Sequence, residues 1–99
     1  LRPRSLEADV AADLVVVDPD QTSGIHRHNF AETVLYFLDG DAIVTVGDDD
    51  VPVVAGERVL IGKGVFHGVR TGAADCRFLS VQTPPILNKT TGFRDLEPR

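Results

Sequence analysis

Hydrophobic residues in this chain fall into short runs separated by turn-forming residues. Leu14 to Val17 ends at Asp18-Pro19-Asp20, and Ile25 to Phe30 follows Gly24. Thr33 to Leu38 ends at Asp39-Gly40-Asp41, Ala42 to Val46 at Gly47 and three aspartates, and Val51 to Val54 at Ala55-Gly56. Arg58 to Ile61 runs into Gly62-Lys63-Gly64, Phe66 to Arg70 into Thr71-Gly72, and Cys76 to Gln82 toward Pro84-Pro85. Their length and their wealth of Val, Ile, Leu, Phe and Tyr are those of strands. Strand and turn alternating about every ten residues predict an all-β sandwich or barrel. Asp39-Gly40 and Gly47-Asp48 predict hairpin turns, where glycine supplies a positive φ. Glu7 to Asp13 has the pattern of one helical turn at most. The polar tail Leu87 to Arg99 is expected to be partly irregular and to wrap the barrel or a partner.

A chain of 99 residues with 42% hydrophobic and 25% charged residues has the makings of one compact domain. The expected domain is 1–99, with its core at about 14–85 and flanking segments 1–13 and 86–99. A net charge of −5 without a basic stripe speaks against nucleic acid and anionic membrane surfaces as partners. No apolar stretch approaches the ~20 residues of a membrane-spanning helix. Cys76 is the sole cysteine, so no internal disulfide forms; a reducing, cytoplasmic setting is the expectation. Its simplest role is that of a small buried apolar side chain.

The three histidines carry the chemistry. His26 and His28 are two apart, so on a strand both imidazoles share one face while Arg27 takes the other. Continued alternation puts Glu32 on the same face. His67 opens another run after the Gly62-Lys63-Gly64 turn. Any one of these is unremarkable alone: His-x-His pairs are common, and an isolated glutamate is usually solvated. If the fold brings the two runs face to face, three neutral nitrogens and one carboxylate gather, a set suited to Fe, Mn, Ni, Co or Zn in the +2 state.

Residues 24–40 read Gly-Ile-His-Arg-His-Asn-Phe-Ala-Glu-Thr-Val-Leu-Tyr-Phe-Leu-Asp-Gly, and residues 56–71 read Gly-Glu-Arg-Val-Leu-Ile-Gly-Lys-Gly-Val-Phe-His-Gly-Val-Arg-Thr. These resemble the two motifs of the cupin family. The resemblance implies a jelly-roll β-barrel, one divalent metal ion near its axis on His26, His28, Glu32 and His67, and a small organic ligand beside it. Three positions depart from the pattern. Gly62 stands where the family has proline, and Thr71 where it has asparagine. Seven residues rather than six separate Glu32 from Gly40, so the strand either carries a bulge or registers on Thr33 and turns Glu32 outward.

Lesser candidates surround this set. Tyr36 alternates with Glu32 and would face the pocket as a hydrogen-bond donor, although a core or interface role is commoner for a lone tyrosine. Gln82 shares a face with Ser80 and Phe78 and is a second pocket-lining candidate. Arg70 and Arg77 are possible carboxylate binders, but exposed arginines on strands are commoner. Asp48 to Asp50 lack the spacing of a calcium loop. With Glu32 inside, Leu35 and Phe37 would face away from the metal and form a second layer or a homodimer contact.

No catalytic residue is evident beyond Glu32 and Tyr36. The resemblance supports a metalloenzyme acting on an enolisable or anionic substrate, as a dioxygenase or as an isomerase, epimerase or lyase. A non-catalytic binding or sensor module is the alternative. A purely structural barrel ranks last, because unpaired polar groups inside an apolar barrel are costly.

Overall fold

The computed structural model describes residues 11–83 and 96–98. Its elements are all strands: β1 Ala11–Val17, β2 His26–Arg27, β3 Glu32–Asp39, β4 Asp41–Val46, β5 Asp49–Val54, β6 Arg58–Ile61, β7 His67–Arg70, β8 Cys76–Thr83 and β9 Glu97–Pro98. They form two antiparallel sheets, ordered β1-β8-β3-β6 and β5-β4-β7-β2-β9. The strand pattern predicts a sandwich or barrel, and the fold has the jelly-roll form that the family resemblance implies. Asp13, the end of the suggested helical turn, lies instead within β1, paired with Ser80.

Alternation sets the inner faces. In β8, Cys76, Phe78, Ser80 and Gln82 are buried, while Arg77 and Thr83 are exposed. In β3, Thr33, Leu35 and Phe37 are buried, while Glu32, Tyr36 and Leu38 are exposed. Phe37 and Phe78 meet across the β3–β8 pair with ring centroids 5.2 Å apart. Val17, Ala42, Val44, Val53, Ile61, Val69 and Cys76 complete the core between the sheets. Each large side chain buried there contributes roughly 1.5–3 kcal/mol, so the two phenylalanines and Leu35 dominate the choice of register.

That choice corrects one expectation. Leu35 and Phe37 do not form an outer layer or subunit contact; each is only 2% exposed and sits in the core. The extra residue between Glu32 and Gly40 is absorbed near the far end of β3, where pairing with β8 shifts between Phe37 and Asp39. Upstream of the bulge the bulky residues keep their inward phase, so Thr33 faces in and Glu32 faces out. Gly40, with φ of 79°, follows directly. A Cβ there would collide with the Asp75 carbonyl, so the β3–β4 turn depends on glycine.

Polar side chains fasten the exterior. Arg70 pairs with Asp50 at 3.0 Å, and Arg77 with Asp39 at 3.0 Å. Both arginines thus engage the chain's own carboxylates, and Asp50 belongs to a hairpin rather than to an ion site. Thr71 donates to the Asp18 carbonyl and accepts from Gln21 N at 3.1 Å. A hydroxyl therefore anchors the β1–β2 loop at the position where the family has asparagine. Among the described residues, no helix is long and apolar enough to cross a membrane.

Candidate metal centre

His26 and Arg27 make up β2, His28 follows it directly, and His67 opens β7 opposite His26. Ring centroids are 5.1 Å apart for His26–His28, 4.5 Å for His26–His67 and 5.2 Å for His28–His67. One nitrogen from each ring lies within 4.8 Å of the other two. Two nitrogens bound to one ion at about 2.1 Å are separated by at most about 4.2 Å, so a small rotamer adjustment lets the rings share an ion.

Local backbone structure produces this convergence. Gly64 N donates to the His28 carbonyl at 2.7 Å, tying the Gly62-Lys63-Gly64 turn to β2 just before His67. Gly68 follows His67, and a Cβ on it would press into the Gly24 carbonyl and the Ile25 side chain. Glycine at 68 therefore lets the segment entering β2 lie close on β7. On the opposite face of β2, the Arg27 guanidinium stacks over Phe66 at 4.7 Å and pairs with Glu97 at 2.6 Å.

His67 and His26 are prepared as neutral donors. The Val65 carbonyl lies 3.0 Å from His67 Nδ1. A carbonyl only accepts, so Nδ1 carries the proton and Nε2 keeps its lone pair for a metal. The His67 pKa is lowered to about 4, chiefly by burial; the Val65 hydrogen bond opposes the shift, and the neighbouring His26 and His28 add to it. His26 is lowered first by burial and then by His28, with its hydrogen bond to Gly24 opposing. Protonation is thus disfavoured at neutral pH while nitrogen coordination stays open. This donor set fits a divalent transition metal.

Not every sequence candidate reaches the centre. Glu32 is exposed on the outer face of β3 and stands apart from the three rings. Tyr36 shares that outer face, at 39% exposure, and does not line the cavity. Both depart from the sequence expectation for one reason: Leu35 and Phe37 set the phase of β3. Gln82 lies on the cavity wall together with Ser80. Thr33, the inward residue of β3, is directly opposite Gln82.

The cavity measures about 170 Å³ between the two sheets. The histidines and Val69 form one wall; Leu35, Phe78, Ser80 and Gln82 form the other. Asp13 and Leu96 also line it. Sequence reasoning passed over both. Asp13 was legible, since it alternates with Val15 and Val17; Leu96 is brought in by the long-range β2–β9 pairing.

The family model for the cupin domain matches residues 13–82. Over 67 residues the chain is 31% identical to the HTH-type transcriptional regulator PuuR of Escherichia coli K12, covering 67% of this chain and 36% of that protein. It is also 31% identical over 64 residues to an oxalate-binding protein of Thermotoga maritima, covering 64% of this chain and 53% of that protein. The chain thus spans between about a third and half the length of these relatives. A crystal structure of a Klebsiella pneumoniae protein with a double-stranded β-helix domain superposes with a TM-score of 0.78. That match, at 20% identity, covers 92% of this chain and 75% of the other. The motifs, the jelly-roll topology and the match over residues 13–82 agree: the chain belongs to the cupin domain family.

Proposed function

We propose that this protein is a metal-dependent enzyme that holds a small carboxylate-bearing substrate between its sheets and promotes proton transfer on it. The observation that carries this reading is the convergence of His26, His28 and His67, a cluster that among the described residues includes no carboxylate. Three neutral donors leave a divalent ion its full charge, which favours an anionic ligand. A cavity of about 170 Å³, below the roughly 300–1,000 Å³ of pockets for drug-sized ligands, suits a molecule of a few carbons.

A bound divalent ion supplies Lewis-acid chemistry, or oxygen chemistry if it is iron. The chain's own residues do the rest. The imidazoles anchor the ion, and Leu35, Val69 and Phe78 exclude water from the ligand. Among the described residues Asp13 is the acidic side chain on the cavity lining, so it is the group placed to move a proton. That favours an isomerase, epimerase or lyase over a dioxygenase, and turnover persisting without O₂ is the expected discrimination.

A non-catalytic binding module is the second reading, favoured by the similarity to the oxalate-binding protein. We further assign a homodimer formed through the outer face of the β1-β8-β3-β6 sheet. Leu14, Val16, Tyr36, Leu38 and Leu60 are all exposed there, an apolar patch of the kind that marks interfaces. No nucleic acid or membrane partner is invoked.

Elemental analysis of protein purified without a histidine tag tests the metal reading. About one divalent ion per chain, retained or taken up on addition, is expected. Absence of any binding overturns it.

A further inference from the structure

We propose that Gln82 selects the ligand by accepting a hydrogen bond from its hydroxyl, so that the preferred ligands are 2-hydroxycarboxylates rather than simple dicarboxylates. This rests on the metal-centred reading above and deepens it.

Gln82 lies on β8, in the sheet that faces the histidines across the cavity. It is 4% exposed, and its Nε2 donates to Ser80 Oγ. That bond fixes the amide and leaves Oε1 free; among the described residues Oε1 has no hydrogen-bond partner. Thr33, directly opposite on β3, is 1% exposed, and its Oγ1 is likewise unpartnered. Two polar groups without partners thus occupy one register position of the sheet that faces the histidines.

A buried carbonyl oxygen left unpaired is costly. Among the described residues no donor reaches Oε1 in this arrangement, and a ligand in the cavity that carries an O–H supplies one. The histidines on the opposite sheet call for oxygen ligands carrying negative charge, whereas Gln82 calls for an O–H. A 2-hydroxycarboxylate meets both demands: its carboxylate answers the cation, and its hydroxyl proton points to Oε1. Oxalate offers acceptors only and would set oxygen against oxygen. Sites built to hydrogen-bond a substrate hydroxyl discriminate strongly against analogues that lack it.

Calorimetry on the Co²⁺-loaded protein tests this with glycolate and oxalate, in wild type and in Gln82→Met, which keeps side-chain length but loses the amide. The variant is expected to bind Co²⁺ as wild type does, to lose about tenfold in glycolate affinity and to hold or gain oxalate affinity, so that the ratio of the two shifts by about tenfold or more. Comparing variants cancels the different chelating strengths of the two acids. Methoxyacetate, which lacks the O–H, supplies a second measurement on wild type alone. Once each acid is normalised to its affinity for free Co²⁺, glycolate is expected to bind about tenfold better.

An unchanged glycolate-to-oxalate ratio, or normalised methoxyacetate binding equal to glycolate, overturns the role of Gln82 while leaving the metal centre intact. Loss of oxalate rather than glycolate affinity in the variant would mean that the amide presents its N–H, and also overturns it. Failure of wild type to bind Co²⁺ removes the metal reading itself.

Discussion

His26 and His67 face each other directly across the β2–β7 pair, their ring centroids 4.5 Å apart. Side chains so opposed on antiparallel strands are close enough to act as a unit, and His28 completes the group from two residues along. Replacing any of the three by alanine removes one of three donors. Each substitution is expected to weaken Co²⁺ binding by at least about a hundredfold, since even partners outside the ligand set change affinity 10–100-fold. Glu32→Gln, on the outer face of β3, is expected to leave it within about twofold. Titration calorimetry reads both, and a large loss in Glu32→Gln would place that carboxylate among the ligands.

Gly68 makes the approach of β2 to β7 possible, because a Cβ there would press into the Gly24 carbonyl and Ile25. Gly68→Ala therefore pushes the entry to β2 outward while retaining all three histidines. The expected outcome is a loss of about tenfold or more in Co²⁺ affinity, as misplaced ligands demand. Wild-type affinity in this variant would show that the spacing is not controlled at Gly68.

How far the residues reveal the fold in advance is clearest in β3. The run Thr33 to Leu38 is apolar on both faces, so alternation alone does not say which face enters the core. Packing decides it: Leu35 and Phe37 go in, and Tyr36 and Leu38 stay out. The seven-residue spacing from Glu32 to Gly40 does signal an irregularity, and a register shift lies between Phe37 and Asp39. The histidine pattern was readable because His26 and His28 differ by two and His67 follows a glycine turn. The partnership of Arg27 and Asn29 with Glu97, about seventy residues away, has no local signature.

Acid should weaken the metal-free protein. His67 is held at about 4 in the fold, mainly by burial, against about 6.5 in an unfolded chain. Between these values the unfolded chain binds a proton that the folded protein does not, so stability falls as pH falls from about 6.5 toward 4. Above about 6.5 this group contributes no slope. His26, lowered for the same main reason, acts in the same direction. Urea midpoints at about pH 7.5 and about pH 5 are expected to drop on acidification, and to drop less in His67→Ala. An equal drop in the two proteins would assign the acid sensitivity elsewhere.

Leu60, 71% exposed on β6, neighbours Val34 on β3 in the outer apolar face. Leu60→Asp places a charge within the assigned dimer contact, where an unpaired charge is costly. Sedimentation is expected to give a dimer for wild type and a monomer for this variant, with metal binding retained. A monomeric wild type would remove the dimer assignment.

Anomalous diffraction from crystals grown with Co²⁺ shows whether His26, His28 and His67 share one cation without Glu32. One strong peak is expected among the three rings, within about 2.2 Å of a nitrogen of each, with the Glu32 carboxylate well outside coordination distance. No peak among the rings, or an ion that binds Glu32 in place of a histidine, would contradict that sharing.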